Sequence, residues 1–173
     1  MGIKDIHTLK KFVDYLTSTY LFIVVERFSY KLKQQILAPR KIYSIDTGMI
    51  QAMAFRSSKD KGRIYENIAA LELHRKKFYK NNLEIYYWKS SQGEEVDFCI
   101  KVGFKVRELI QVCCDVGDFE TKEREVKSLV KAGAELRCDN FLILTDDYEA
   151  QEIHQGKKIA FLPLWRWLLG GTS

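Results

Sequence analysis

The feature that most constrains the fold is the order of hydrophobic patterns in the second two-thirds of the 173-residue chain. Helix-favouring and strand-favouring segments follow one another as helix, strand, strand, strand, helix and strand. These segments are 63–78, 84–89, 94–102, 105–114, 119–137 and 140–145, and a last strand at 158–162 and a helical turn at 164–169 follow them. The order predicts a mixed α/β (α+β) domain, an arrangement that many unrelated proteins share.

The first 56 residues have a different pattern. Residues 4–18 have the apolar spacing of an amphipathic helix, and two strand-like segments at 21–28 and 41–45 enclose a basic loop at 29–40. A helix followed by two strands around a basic loop is typical of the end of a winged-helix module. A polar linker at 56–62 then precedes the second unit. We therefore expect two domains, a partial winged-helix-like module at 1–56 and the α/β domain at 57–173.

Composition excludes several classes of protein. Hydrophobic residues make up 46% of the chain and charged residues 29%, the balance of a globular protein. No apolar run approaches the length needed to span a bilayer and no signal peptide opens the chain, which predicts a cytoplasmic protein without membrane contacts. The four cysteines form no C-x-x-C pair and the three histidines have no ligand spacing, so no zinc site is expected.

Charge is unevenly distributed along the chain. Residues 1–80 contain 16 Lys and Arg against 7 Asp and Glu, whereas residues 81–173 contain 12 against 16. A basic half favours a polyanion such as DNA or an acidic partner, although a solvated basic face has the same composition. The candidate nucleic-acid contacts are Lys31, Lys33, Arg40, Lys41 and Arg63.

Five short motifs carry a family resemblance. They are Lys-Ile-Tyr-Ser-Ile-Asp-Thr-Gly at 41–48, Gly-Arg-Ile-Tyr-Glu-Asn at 62–67, Trp-Lys at 88–89, Glu-Glu-Val-Asp-Phe at 94–98 and Leu-Ile-Gln-Val-Cys at 109–113. With them, nearly the whole chain resembles the C-terminal domain of unknown function in archaeal and bacterial AAA-type ATPases. The resemblance implies the restriction-endonuclease-like αβββαβ core of PD-(D/E)xK nucleases and an upstream ATPase domain in the same polypeptide. The chain itself has no P-loop motif, so no nucleotide is expected to bind here.

The resemblance also implies a site. Glu66 on the first helix, Asp97 on the second core strand and Gln111 on the third correspond to the catalytic, metal-holding positions of these nucleases. Hydrolysis of a phosphodiester needs Mg²⁺ held by hard oxygen ligands and positive charge near the phosphorane. Cys113 stands where the family has its lysine, and a thiol cannot supply that charge.

The absence of the family's lysine at Cys113 leaves three functions open. The first is a nuclease-fold module with a degenerate metal site that binds DNA or a partner for an ATPase. The second is an active Mg²⁺-dependent DNA endonuclease whose lysine comes from elsewhere, with Lys89 the first candidate and Lys122 or Arg124 on the following helix the others. The third is a protein-interaction domain that senses a signal for the ATPase. The expected partners are the upstream ATPase domain, DNA and a second copy of the chain.

Overall fold

The computed structural model describes residues 6–53, 60–80 and 82–170. Within these ranges the chain forms six helices and eight strands. The helices are α1 (Ile6–Ser18), α2 (Leu32–Leu37), α3 (Thr47–Met53), α4 (Asp60–Tyr79), α5 (Phe119–Leu136) and α6 (Leu164–Leu168). The strands are β1 (Phe22–Arg27), β2 (Lys41–Ser44), β3 (Leu83–Lys89), β4 (Glu95–Val102), β5 (Lys105–Val112), β6 (Phe141–Thr145), β7 (Ala150–His154) and β8 (Lys157–Pro163).

All eight strands belong to one mixed sheet with the order β2-β1-β3-β4-β5-β6-β8-β7. The pairs β3–β4 and β4–β5 are antiparallel, whereas β5–β6 and β6–β8 are parallel. At the other side, β1 pairs in parallel with β3 through Glu26 and Arg27, and β2 pairs in antiparallel fashion with β1. The sheet therefore runs across the boundary predicted at residues 56 and 57.

Helices cover both faces of the sheet because its central strands are apolar on both sides. Along β5, Leu109 and Ile110 are both fully buried, but they belong to different core clusters on opposite faces. The small residues Ala69 and Ala70 of α4 join the cluster of Ile110, and Leu129 of α5 joins that of Leu109. Two helices of different composition thus enclose the strands that carry the predicted site.

The prediction of an α/β fold with a mixed sheet is confirmed, and the helix and strand order from residue 60 to residue 145 is the predicted one. Three local expectations were wrong. The basic loop predicted at 29–40 contains α2, and the end of the predicted linker, 60–62, is the first turn of α4; residues 54–59 lie outside the described residues. The edge strand β7 was not predicted, because its sequence Ala-Gln-Glu-Ile-His has almost no apolar alternation. Among the described helices, none has the length and apolar character needed to cross a membrane.

Candidate functional site

Four of the predicted site residues meet at one end of the sheet. Glu66 is in the second turn of α4, Asp97 is the third residue of β4 and Gln111 is the last but one of β5. Because β4 and β5 are antiparallel neighbours, the start of one strand lies beside the end of the other. Lys41, the first residue of β2, is the fourth member.

The ammonium group of Lys41 is the centre of this site. Its Nζ atom lies 2.9 Å from Oε1 of Glu66, 2.8 Å from Oε1 of Glu95 and 2.8 Å from Oδ1 of Asp97. An ammonium has three N–H donors, so the three carboxylates satisfy it completely. The Lys41 side chain is 18% exposed and that of Asp97 is 10% exposed, which shields the charges from water. We call Lys41, Glu66, Glu95 and Asp97 the carboxylate cluster.

The other polar atoms around Asp97 also have partners. The backbone N–H of Val112 donates to Oδ2 of Asp97 at 3.0 Å, and the backbone N–H of Asp97 donates to Oε1 of Gln111 at 3.1 Å. The amide nitrogen of Gln111 donates to Oε2 of Glu125 on α5 at 2.8 Å. Gln111 therefore links two strands and a helix through both ends of its amide.

Electrostatics fix the protonation state of the cluster. Burial lowers the pKa of Lys41, but the charges of Asp97 and Glu66 outweigh burial and raise it above its usual value. Tyr43, whose hydroxyl donates to Oε1 of Glu66 at 2.7 Å, has its pKa raised by burial and then by the same carboxylate. Burial also raises the pKa of Asp97 against the opposing effect of Lys41. At neutral pH Lys41 is therefore a permanent cation and the neighbouring Tyr43 is protonated.

This arrangement does not fit a bound Mg²⁺. Magnesium holds oxygen ligands at about 2.0–2.1 Å, whereas the three carboxylate oxygens stand 2.8–2.9 Å from a centre that is already a cation. Oε1 of Gln111, the remaining oxygen of the predicted ligand set, accepts a hydrogen bond from the backbone N–H of Asp97. With the side chains as the structure places them, residues 6–53, 60–80 and 82–170 contain no group of three or more His, Cys, Asp and Glu side chains arranged to hold a metal ion.

A cleft of about 460 Å³ opens beside the carboxylate cluster. Lys41, Glu66 and Glu95 form part of its wall, and Arg63 and Asn67 from the same helix as Glu66 also line it. Arg63 is exposed and lines this cleft, so a ligand in the cleft can reach its guanidinium group. Among the predicted nucleic-acid contacts, Arg63 and Lys41 are thus the two that the structure brings together.

The remaining predicted basic contacts lie apart from the cluster. Lys31 and Lys33 are exposed at the start of α2, and Arg40 lies 3.3 Å from Glu26. Lys89 approaches the cluster from its solvent side, where its Nζ lies 2.8 Å from Oε2 of Glu95 and its side chain is 44% exposed. Lys89 therefore touches the cluster only through Glu95.

The two other candidate cations pair with glutamates, and the cysteine at the position of the family's lysine carries no charge. Burial raises the pKa of Cys113 to about 12, so its thiol stays neutral. Lys122 pairs with Glu152 on β7 at 2.6 Å, and Arg124 pairs with Glu125 at 2.7 Å. The lysine that reaches Asp97 comes from β2, not from the strand or helix on which it was expected.

Sequence reasoning missed Glu95, Tyr43 and Glu125 as members of the site. A signal for the first two was present, because residues two apart on a strand share a face: Glu95 with Asp97, and Tyr43 with Lys41. Glu125 had no such signal, since its contact with Gln111 depends on how α5 packs on the sheet.

Comparison with known proteins identifies relatives without an assigned activity. The chain is 36% identical over 164 residues to an uncharacterized protein of Methanocaldococcus jannaschii, a match that covers 91% of this chain and 35% of that protein. The chain thus spans about a third of the length of this curated relative. No solved structure matches the chain significantly. Residues 61–167, which include Glu66, Asp97 and Gln111, match the family described as a domain of unknown function, DUF4143. The chain belongs to this family.

Proposed function

We propose that this chain is a nuclease-like binding module of a larger protein, in which a lysine ammonium has replaced the catalytic metal ion. The observation that carries the proposal is the position of Lys41 Nζ, within 2.8–2.9 Å of three carboxylates. One positive charge then neutralises part of the negative charge that a divalent cation would otherwise balance.

The proposal draws further support from the strand and helix order. Glu66, Asp97 and Gln111 come from a helix and two antiparallel strands, the elements that the PD-(D/E)xK resemblance implies. The same resemblance implies an ATPase domain in the same polypeptide, and the Methanocaldococcus jannaschii relative extends well beyond the matched region. The module would then bind DNA, or a protein partner, for the attached ATPase.

One observation favours a second candidate, an active endonuclease with a relocated lysine. Lys41 brings to Asp97 the positive charge that Cys113 cannot supply on β5. In this alternative Lys41 would leave the carboxylates when metal and substrate arrive and would stabilise the phosphorane. The two candidates make opposite predictions for the removal of Lys41.

The test is a calorimetric titration of Mg²⁺ and Mn²⁺ into the wild type, Lys41→Met, Asp97→Ala and the double variant. If the ammonium replaces the metal, the wild type binds neither ion, Lys41→Met gains a binding site, and the double variant loses it again. Lys89→Met is the matched control, because it removes a lysine that contacts only Glu95, and it should gain no site.

Cleavage of supercoiled plasmid with Mg²⁺ or Mn²⁺ separates the second candidate. Cleavage by the wild type that disappears in both Lys41→Met and Asp97→Ala would establish an endonuclease and overturn the proposal. Metal binding by the wild type that disappears in Asp97→Ala would equally contradict a cluster closed by Lys41.

A further inference from the structure

A basic and aromatic surface covers the end of the sheet opposite to the carboxylate cluster. It consists of the last turn of α4 and the β4–β5 hairpin, and we call it the hairpin-end surface. Its members are Phe78, Tyr79, Lys80, Phe104, Lys105 and Arg107, all of them exposed. Lys105 begins β5 and Gln111 is six residues further on, so the two ends lie on the order of 20 Å apart.

The two segments of this surface are held together by the backbone. The N–H of Gly103 in the hairpin turn donates to the carbonyl oxygen of Asn82 at 3.4 Å, and Leu83 pairs with Val102. Gly103 has a φ of +61°, the left-handed conformation that a tight turn requires and that glycine adopts without strain. The turn therefore holds Phe104 in a fixed place beside the end of α4.

Three aromatic rings of this surface lie in solvent. Phe78 is 73% exposed and Tyr79 is 79% exposed, while Phe104 at the hairpin tip has its whole side chain in water. The lysines near the end of α4 have a structural explanation, because cations stabilise the negative end of a helix dipole. That explanation does not extend to the rings. Phe78 packs edge-on against the His74 ring at 5.3 Å and the Arg75 guanidinium lies 5.9 Å from the Tyr79 ring, yet all three rings keep most of their surface in water and lose the free energy of burial.

A cleft of about 560 Å³ opens next to the hairpin-end surface. Lys76, Lys80 and Arg107 line it together with the carboxylate of Glu108, so cations outnumber anions at this wall. Burial raises the pKa of Glu108 above its ordinary value. Trp167 forms an apolar wall, and Lys76 Nζ lies 3.9 Å from the centre of its ring. The cleft thus combines positive charge with an aromatic wall.

We propose that the hairpin-end surface binds single-stranded nucleic acid, with Phe104, Phe78 and Tyr79 stacking on bases and Lys80, Lys105 and Arg107 contacting phosphates. Unpaired bases expose the flat faces that three separate, solvent-exposed rings can meet, and the backbone brings a charge at every nucleotide. A duplex conceals those faces within its base stack, so exposed rings of this kind favour single strands over duplex. The inference names a ligand for the binding role proposed above, but it concerns a surface that shares no residue with the carboxylate cluster.

The test is fluorescence anisotropy with a labelled thymidine oligonucleotide of about 15 nucleotides, long enough for the roughly 4–16 nucleotides that a stacking groove covers. The wild type of the full chain should bind it at ~100 mM salt and bind the matching duplex more weakly. Phe104→Ala should weaken binding by about tenfold, the loss of one stacked base. Arg107→Glu should weaken binding and reduce the salt dependence of the affinity.

Phe119→Ala is the matched control, because Phe119 is also largely exposed, at 73%, but lies at the start of α5. Its affinity should equal that of the wild type. Phe104 makes no buried contact that its removal would lose, and thermal unfolding of each variant checks that the fold is intact. No binding of the oligonucleotide at ~50 mM salt, or equal binding by the wild type and Phe104→Ala, would overturn the inference.

One further result would replace nucleic acid with a lipid surface as the ligand. Sedimentation with vesicles that contain phosphatidylserine, lost in Phe104→Ala and accompanied by no oligonucleotide binding, would assign the surface to anionic membranes instead. Neither absence of oligonucleotide binding nor binding to lipid changes the outcome of the metal titrations on the carboxylate cluster. Failure of this inference and failure of the proposed function can therefore be told apart.

Discussion

Lys41 and Asp97 are 56 residues apart in the sequence, yet Nζ and Oδ1 lie 2.8 Å from each other. In the sheet, β1 and β3 stand between their strands. Because β1 contacts β3 through only two register pairs, the β1–β2 hairpin needs further attachment to the sheet. The Lys41 ammonium and the Tyr43 hydroxyl supply part of it, so the same residues close the site and hold the β1–β2 hairpin against α4 and β4.

Removal of the Lys41 charge should destabilise the protein. Lys41→Met leaves three carboxylates close together without a cation, which we expect to cost about 3 kcal/mol in the free energy of unfolding. Lys89→Met removes an ion pair at a partly exposed position and should cost less than about 1 kcal/mol. Urea unfolding followed by circular dichroism measures both. Equal losses in the two variants would show that Lys41 is an ordinary surface cation.

Asn67 should be as important for stability as an ion pair. Its buried side chain accepts from the backbone N–H of Ser44 at 2.8 Å and donates to the carbonyl oxygen of Ser44 at 2.7 Å, as a neighbouring strand would. Asn67→Ala leaves two backbone groups of β2 without partners, and we expect a loss of about 2–3 kcal/mol. Urea unfolding is again the measurement, with Gln34→Ala on the exposed helix α2 as the control. A loss no larger than that of the control would contradict this role.

These contacts mark the limit of what the sequence predicts. The central strands and α5 have strong hydrophobic patterns and α4 is a run of helix-favouring residues, so the order and approximate bounds of these elements follow from the local sequence. The local sequence also places Asp97 and Gln111 on neighbouring strands. What it does not give is the partner of Lys41, because that contact depends on how a hairpin from the first third of the chain folds against α4 and β4.

The family resemblance had a similar limit. It directed attention to Glu66, Asp97 and Gln111, which do lie at one end of the sheet, and to the missing lysine at Cys113. It did not indicate that Lys41, predicted as a nucleic-acid contact, would lie among the carboxylates. Burial and pairing of a charged side chain are properties of the packed structure, and a basic residue in a basic segment shows neither.

Two glycines should respond to alanine in opposite ways. A Cβ atom at Gly133 on α5 would lie 2.4 Å from the ring of Phe141 and 2.6 Å from the carbonyl oxygen of Cys138, so Gly133→Ala should cost about 1–3 kcal/mol. A Cβ atom at Gly62 in α4 has no neighbour within 4 Å among the described residues, so Gly62→Ala should stabilise the helix by about 0.5–1 kcal/mol. Melting temperatures measure both, and an unchanged or raised melting temperature for Gly133→Ala would contradict the packing of α5 on β6.

Acid should weaken the attachment of the edge strand β7. Burial raises the pKa of Glu152, but its hydrogen bonds with Lys122, Tyr148 and His154 outweigh burial and lower the pKa to about 2. Because the pKa in the folded state is below that of the unfolded chain, about 4.3, this glutamate stabilises the fold above pH 4.3. Its contribution is lost as the pH falls from about 4.3 to 2.

Urea unfolding at a series of pH values between 6 and 2 tests this expectation. Glu152→Gln cannot ionise, so its stability should fall less steeply than that of the wild type between about pH 4.3 and 2. Glu123→Gln, at an exposed position of α5, should keep the slope of the wild type. If Glu152→Gln and the wild type lose stability in parallel over this range, the network that joins α5 to β7 does not contribute to stability in solution.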